Sequence, residues 1–345
     1  MNLFENIQLS LVSASALAFI ISLFLNFLFI NLNSSFSDRN TNQKRLNSLS
    51  IIPLGGVAMS ISFFICVRFL GEATSSFLYI SIFSLAIALM GVVDDFYNLN
   101  WKIKLLLQVI FVGSPVITLD LFINIESILS LQLNNFLNIF ATVIWVILLM
   151  NSINFTDNMD GFAALNTSFI CLALGVISFV VDQNYLADLS IVLLFSILGF
   201  LLLNYPPAKI YMGDSGSLFI GYVLGFISII FDWNPISDGS IYDSFAPVLL
   251  FFTIPLLDFA TVFTHRVRNK ISPTTGGTDH ISHRLLKRGF SVQKILFVFF
   301  CINFLVFAIL SASIIFNQIT LYFIILYLIF VIYLFFKFSK MEILD

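Results

Sequence analysis

Charge is what this sequence has least of. Only 10% of its 345 residues are Asp, Glu, Lys or Arg, against 59% hydrophobic, and the mean hydropathy is +1.02. A soluble domain carries about a quarter charged residues, so a free-standing soluble enzyme is excluded. Histidine is scarce (three residues) and so is cysteine (three). Cys66, Cys171 and Cys301 all fall in apolar runs, which reads as small apolar packing and argues against a disulfide framework or a thiolate zinc site. Strict apolar–polar alternation is also missing, which removes the transmembrane barrel.

What is present is a series of apolar runs of about 20 residues, long enough to cross hydrocarbon as helices. Eleven spans are expected: 9–32, 51–70, 76–93, 103–119, 136–153, 161–181, 187–204, 216–232, 245–264, 293–315 and 319–338. The expected fold is an all-α polytopic bundle, one membrane domain over 1–345, with a polar loop at 265–292. Fifteen of the 16 basic residues fall on one side of this arrangement and only Arg68 on the other. The positive-inside rule makes the first side cytoplasmic, with the N-terminus outside and the C-terminus inside. The first span lacks the basic flank of a cleaved signal and is expected to be retained.

The polar residues collect in five strings on that basic side: "SDRNTNQKRLNSLSIIPLGG", "GVVDDFYNLNWKIK", "NSINFTDNMDG", "NYPPAKIYMGDSGS" and "THRVRNKISPTTGGTDHISHRLLKRG". Carboxylates and cations gathered at a membrane edge suit the joining of two phosphate-bearing reactants, one soluble and one lipid, through a divalent cation.

Asp94 and Asp95 close an apolar run, where a helix C-terminus disfavours negative charge, so stabilising that end is a poor explanation of the pair. Capping of the next helix falls more naturally to Asn98 or Asn100. Asn151, Asn154, Asp157 and Asp160 recur every three residues, which on a helix forms a polar stripe, costly in a membrane unless it lines a wet cleft. Gly213 and Gly216 flank Asp214 and would let backbone N–H groups meet a phosphate, the plain alternative being an ordinary turn. His280, His283 and Arg284 read as an anion clamp, or as part of a basic loop on anionic headgroups. Asp258 lies inside an expected span and is a functional candidate by default, or the partner of a cation on a neighbouring helix.

As an ordered set, "PLGG", "GVVDDFYNL…K", "NSINFTDNMDG", "MGDSGS" and "DHISHRL" resemble the polyprenyl-phosphate N-acetylhexosamine-1-phosphate transferases, over residues 38–290. The likeness extends to the glycosyltransferase family 4 branch that uses UDP-N-acetylglucosamine or related donors, although Ser282-His283 stands where that branch carries adjacent histidines. The resemblance implies ten or eleven spans, an active site facing the cytoplasm of a bacterial inner membrane, and magnesium, with manganese as a substitute. It implies transfer of a HexNAc-1-phosphate from a UDP-sugar to undecaprenyl phosphate with release of UMP, and no nucleic-acid partner. By the same resemblance Asp94 deprotonates or orients the lipid phosphate, or attacks covalently, with Asp95 beside it. Asp214 is the principal metal ligand, helped by Asn154 and Asp95. Lys104 meets phosphate, and Asp157 and Asp160 shape the nucleotide region. His280, His283 and Arg284 bind the diphosphate or the sugar, and Lys44 and Arg45 (with Asp38) stand on the lipid-phosphate side. Two other readings stay open at this point: the phospho-N-acetylmuramoyl-pentapeptide enzyme on the same fold, and a transporter or flippase. Against the latter, transporters favour sites near the midplane and repeated halves, and no repeat is visible.

Overall fold

The computed structural model describes residues 2–36, 51–70, 75–123, 135–232, 249–273, 276–315 and 320–341. Within them lie helices α1 (Asn2–Phe36), α2 (Gly55–Val67), α3 (Ser75–Tyr97), α4 (Trp101–Thr118), α5 (Asn135–Thr156), α6 (Phe162–Val180), α7 (Asn184–Asn204), α8 (Gly213–Ile230), α9 (Thr253–Arg268), α10 (Ile281–Lys287), α11 (Val292–Ile315) and α12 (Thr320–Ser339), and no strand. A helix falls in each of the eleven expected segments, although α2 is shorter than 51–70, α9 begins at Thr253, and 245–248 and 319 lie outside the described residues; α10 is an addition inside the polar loop. Among the described residues eight helices are long and apolar enough to cross a membrane, α2 and Ile325–Ser339 are shorter apolar helices, and α9 is in neither group.

The bundle is built around α8. Every residue from Ser215 to Ser228 is buried, and α8 packs against α2, α3 and α5. Small residues permit this closeness, the usual route to helix association in lipid, where the hydrophobic effect gives no drive. A Cβ on Gly56 would lie 2.0 Å from the Gly216 amide nitrogen, and one on Gly91 would lie 2.4 Å from the Ser215 backbone. The "PLGG" string is therefore a packing surface for the start of α8. Outside this centre, α7 packs against α1, α2 and α6, while α9 bridges α5 and α12.

Successive helices alternate in direction. The C-terminal ends of α3, α5, α7, α9 and α12 and the N-terminal ends of α2, α4, α6, α8 and α11 thus share one end of the bundle. The loops there are stitched by backbone bonds. Gly55 and Gly56 donate to Tyr211 and Met212 carbonyls (3.0 Å each), and Tyr211 donates to Ile52 (3.1 Å). Asn204 accepts from the Gly161 amide (3.0 Å) and donates to the Ile210 carbonyl (2.8 Å).

Candidate active site

At the shared end, α3 gives way to α4 through the turn 98–100. Asn98 takes a positive φ of 50°, which Asn tolerates better than most residues. Asn100 is extended and its side chain accepts from the Lys102 amide (3.0 Å), so it caps α4 as expected. Asp94 Oδ1 accepts from the Leu99 amide (2.7 Å), which leaves Oδ2 pointed at Lys104 Nζ (2.7 Å). The Lys104 ammonium also bonds Asp214 Oδ2, so one cation is clasped between carboxylates from α3 and α8. Asn154, from the last turns of α5, donates to Asp214 Oδ1 (2.8 Å) and to Ser217 (2.9 Å).

Asp95 has another occupation. Its Oδ1 accepts from the Asp214 amide (3.0 Å) and its Oδ2 from the Ser215 amide (3.4 Å). The carboxylate caps α8 from a different helix, where its charge complements the positive end of the helix dipole. The Asp157 carboxylate lies near the Gly213 amide. The Asp214 and Ser215 N–H groups at the start of α8 are therefore consumed by a carboxylate. This corrects the expectation that "MGDSGS" offers bare N–H groups to a phosphate. Gly213 is needed for a different reason: its φ is +69°, and a Cβ there would lie 2.5 Å from Asp95 Oδ2 and 2.7 Å from the Pro53 carbonyl.

The expected polar stripe is only half helical. Asn151 and Asn154 lie on α5, which ends at Thr156; Asp157 and Asp160 sit in the turn leading to Gly161. Asp160 Oδ2 accepts from the Ala208 amide (3.0 Å), tying that turn to the 205–212 loop. Burial pushes the Asp157 carboxyl up to about 7, and the neighbouring charges of Asp214 and Asp95 add to the rise. A carboxyl so placed is a mark of crowded negative charge.

Two cavities meet at Asp214. The first, about 870 Å³, is a groove between α4, α5 and α9, with apolar walls that include Val109, Val143, Ile147 and Phe259. Its polar mouth carries Asp94, Lys104, Asn154 and Asp214. The second, about 600 Å³, is polar and lined by Asp95, Asp157, Asn158, Asp160, Tyr211 and Asp214 among others. Asp94, Asp157 and Asp214 thus converge on one region, Asp214 forming the wall common to both spaces.

The fifth loop is organised differently from its expected role. Asp258, on α9, accepts from His280 Nδ1 and from the Ile281 amide (2.8 Å each), so it orients one imidazole and caps α10. Its partner is thus a histidine and a helix end, with no Lys or Arg involved. Asn158 bonds Ser282 and carries this network toward the polar cavity. His280 is the residue before α10 and His283 lies within it, their rings 5.7 Å apart. Burial lowers the His283 pKa, and the neighbouring His280 lowers it further. Arg284 does not face either cavity. It is 1% exposed, and its guanidinium donates to the carbonyls of Asp279 (2.8 Å), Phe338 and Met341 (2.9 Å each), with Nη2 alone unpartnered. This corrects the substrate-clamp expectation for Arg284: the residue ties α10 to the end of α12. The strong clamp in this loop was not anticipated. Arg266 meets Asp279 through two 2.8 Å bonds and lies over the Phe155 ring at 5.4 Å. Lys44, Arg45 and Asp38 lie outside the described residues.

A helical bundle with a polar, acid-rich centre at its helix ends, opening sideways into an apolar groove, has the form of an integral membrane protein. The comparisons make that class specific. The family described as glycosyl transferase family 4 matches residues 77–232. The "Probable undecaprenyl-phosphate N-acetylglucosaminyl 1-phosphate transferase" of Bacillus subtilis (strain 168) is 29% identical over 256 residues, covering 73% of this chain and 70% of the relative. The "Decaprenyl-phosphate N-acetylglucosaminephosphotransferase" of Mycolicibacterium smegmatis is 30% identical over 249 residues (66% and 60%). The "Phospho-N-acetylmuramoyl-pentapeptide-transferase" of Rickettsia prowazekii is 30% identical over 216 residues (51% and 58%). Residues 77–232 of this chain are thus similar to glycosyl transferase family 4.

Proposed function

We propose that this protein transfers a HexNAc-1-phosphate, N-acetylglucosamine-1-phosphate first among the choices, from a UDP-sugar to a polyprenyl phosphate and releases UMP. The observation that carries this reading is the shared wall at Asp214, with an apolar groove on one side and a polar cavity on the other. A polyprenyl tail matches the groove, and its phosphate would lie at the mouth beside Lys104. A nucleotide-sugar matches the polar cavity. The relatives named for polyprenyl-phosphate N-acetylglucosamine phosphotransfer support the pairing of substrates.

Phosphoryl transfer of this kind is mostly positioning and charge neutralisation. Lys104 exchanges one of its carboxylate partners for an oxygen of the incoming lipid phosphate. Asp94, fixed by the Leu99 amide, orients that phosphate and takes its proton. Asn154 holds the Asp214 carboxylate in place.

The polar cavity has acidic walls, with no Lys or Arg among its lining residues. A diphosphate enters such a space only with a cation. Magnesium binds through one or two carboxylates and keeps several waters, and Asp214 with Asp157 fits that demand. Among the described residues no group of three or more His, Cys, Asp or Glu is placed to hold a metal ion, so the protein would supply two carboxylates and water the rest. Asp95, whose two oxygens serve the α8 amides, is placed to support the site from behind. The ion would supply positive charge to the diphosphate oxygens.

Lys102, Lys104, Lys209, Arg266, Arg268, Lys270, Lys287, Arg288 and Lys340 lie at the active end and Arg68 at the other. The positive-inside rule then turns the site toward the cytoplasm of a bacterial inner membrane. The test is release of UMP from UDP-N-acetylglucosamine by detergent-purified protein with magnesium and undecaprenyl phosphate. UDP-N-acetylmuramoyl-pentapeptide in the same assay separates the muramoyl reading. No UMP from either donor would remove the transferase assignment.

A further inference from the structure

Gln108 lies one turn beyond Lys104 on α4, lines the groove, and is 1% exposed. Its neighbour Asn151 fixes which way its amide points. Asn151 Nδ2 donates to the Ile147 carbonyl (2.8 Å), an acceptor only, so the Asn151 orientation is set. The same Nδ2 donates to Gln108 Oε1 (3.0 Å). Gln108 Nε2 is then the outer atom of the amide, buried and without a partner. Leaving a buried donor unmade is costly, more so in a membrane, and calls for an explanation.

The local geometry supplies one. Side chains on a helix lean toward its N-terminus, and the N-terminus of α4 is the active end. On that geometry Gln108 leans toward the Lys104 turn of α4, and it lines the groove whose mouth carries Lys104 and Asp94. Of the polar side chains around it, Lys104 bonds two carboxylates, Asn154 donates to Asp214 and Ser217, and Asn151 donates to Ile147 and Gln108, while Asn98 and Trp101 lie nearer the start of α4. A ligand that meets Gln108 must bring an acceptor oxygen at the junction of its polar head and its apolar tail.

We propose that Gln108 donates its free N–H to the phosphate of the lipid acceptor, on the oxygens nearest the tail, and so fixes how deep the phosphate sits in the groove. This rests on the reading that the groove holds a polyprenyl phosphate. Lys104 then supplies charge to that phosphate and Gln108 supplies register along the membrane normal. The phosphoester to the lipid survives the reaction, so the contact persists from acceptor to product. Its loss raises the acceptor KM and leaves kcat near that of the native protein.

The experiment uses full-length protein in detergent, with two substitutions. Gln108→Met keeps length and removes the donor. Gln108→Glu, assayed at pH 8, keeps an acceptor for Asn151 and replaces the donor with oxygen. Each should raise the KM for undecaprenyl phosphate about tenfold, the ordinary worth of a hydrogen bond to a charged group. The UDP-sugar KM should not move. In parallel, farnesyl phosphate binding without nucleotide should weaken by about the same factor, while inorganic phosphate and phosphatidic acid compete poorly with it. Unchanged acceptor KM and unchanged farnesyl phosphate binding in both variants would overturn the proposal. So would equal rises in both substrate KM values, or equal competition by inorganic phosphate. If native protein releases no UMP, the transferase reading fails, and the binding arm still judges Gln108 alone.

Discussion

Replacing Arg284 with Met tests most directly whether the fifth loop is read correctly. The guanidinium is buried and holds three backbone carbonyls, two of them at the end of α12. Methionine fills similar space but leaves those carbonyls without donors. Hydrogen bonds to a charged group are each worth about 1.5–3 kcal/mol, and relief of guanidinium desolvation offsets part of the loss. The net cost is about 3–5 kcal/mol, the range found when one partner of a buried charged network is removed. For a chain of this size that lowers the apparent Tm by roughly 5–10 °C. Arg284→Lys retains the charge but loses the planar fork and recovers only part of the loss. Scanning fluorimetry of detergent-purified protein, at one fixed scan rate, measures the shift. The exposed Arg288→Met serves as control and should move by less than about 1 °C. The UDP-sugar KM of whatever folded Arg284→Met protein is recovered should stay within about threefold of native. An unchanged Tm with a UDP-sugar KM raised tenfold would refute the structural role and restore Arg284 to the substrate.

Asp214→Asn and Asp94→Asn should each reduce UMP release by at least about a hundredfold without lowering Tm, since both groups act on charge at the groove mouth; full turnover by either variant removes that residue from the chemistry. Gly56→Ala should abolish folded expression, judged by monodisperse elution from a sizing column, because its methyl group meets backbone that cannot yield. Val143→Trp should fill the groove and raise the acceptor KM while sparing the UDP-sugar KM; the opposite split would move the lipid elsewhere. Burial raises the Asp279 carboxyl, but the Arg266 guanidinium outweighs it and holds that carboxyl below the usual carboxylate range. Its stabilisation is then present above the unfolded value, about pH 4, and is lost as pH falls through the folded value. Apparent Tm should drop in acid, and less steeply in Asp279→Asn.

The helices were legible because each apolar run is long and bounded by polar strings. The clustering of Asp94, Lys104, Asn154 and Asp214 was legible from alternation alone: helices that reverse direction in turn return every second loop to the same end. What sequence could not supply is the division of labour among like residues. Asp94 and Asp95 are adjacent, yet one faces the groove and the other caps α8, because their side chains leave the helix about 100° apart and meet different neighbours. Arg284 looked like an anion ligand because nothing in "SHRLL" reveals that the end of α12 lies beneath it. Asp258 was singled out as an ionisable group inside an expected span; it lies on α9, and its partner came from 22 residues onward. Gln108 gave no local signal, since one amide in an apolar helix is ordinary until its donors are traced.

The charge balance at the active end makes the strongest demand on the chemistry. Asp94 and Asp214 clasp the Lys104 ammonium, Asp95, Asp157 and Asp160 line the polar cavity behind Asp214, and among the described residues no other Lys or Arg lines either space. The Asp214 and Ser215 amides that begin α8 are spent on Asp95, so the helix dipole already serves a carboxylate and offers little to a phosphate. Two phosphate-bearing reactants would only deepen the negative field. On the proposed function, added positive charge would fall on the polar side of Asp214, and magnesium is the ion to test. Asp157→Asn removes one oxygen donor there and should raise the magnesium concentration for half-maximal UMP release several-fold, while the undecaprenyl phosphate KM stays unchanged. Chelation with EDTA should abolish turnover and excess magnesium restore it. Turnover that persists in EDTA after exhaustive dialysis would show that Lys104 alone neutralises the reacting phosphates, and the account of the polar cavity would have to be rebuilt.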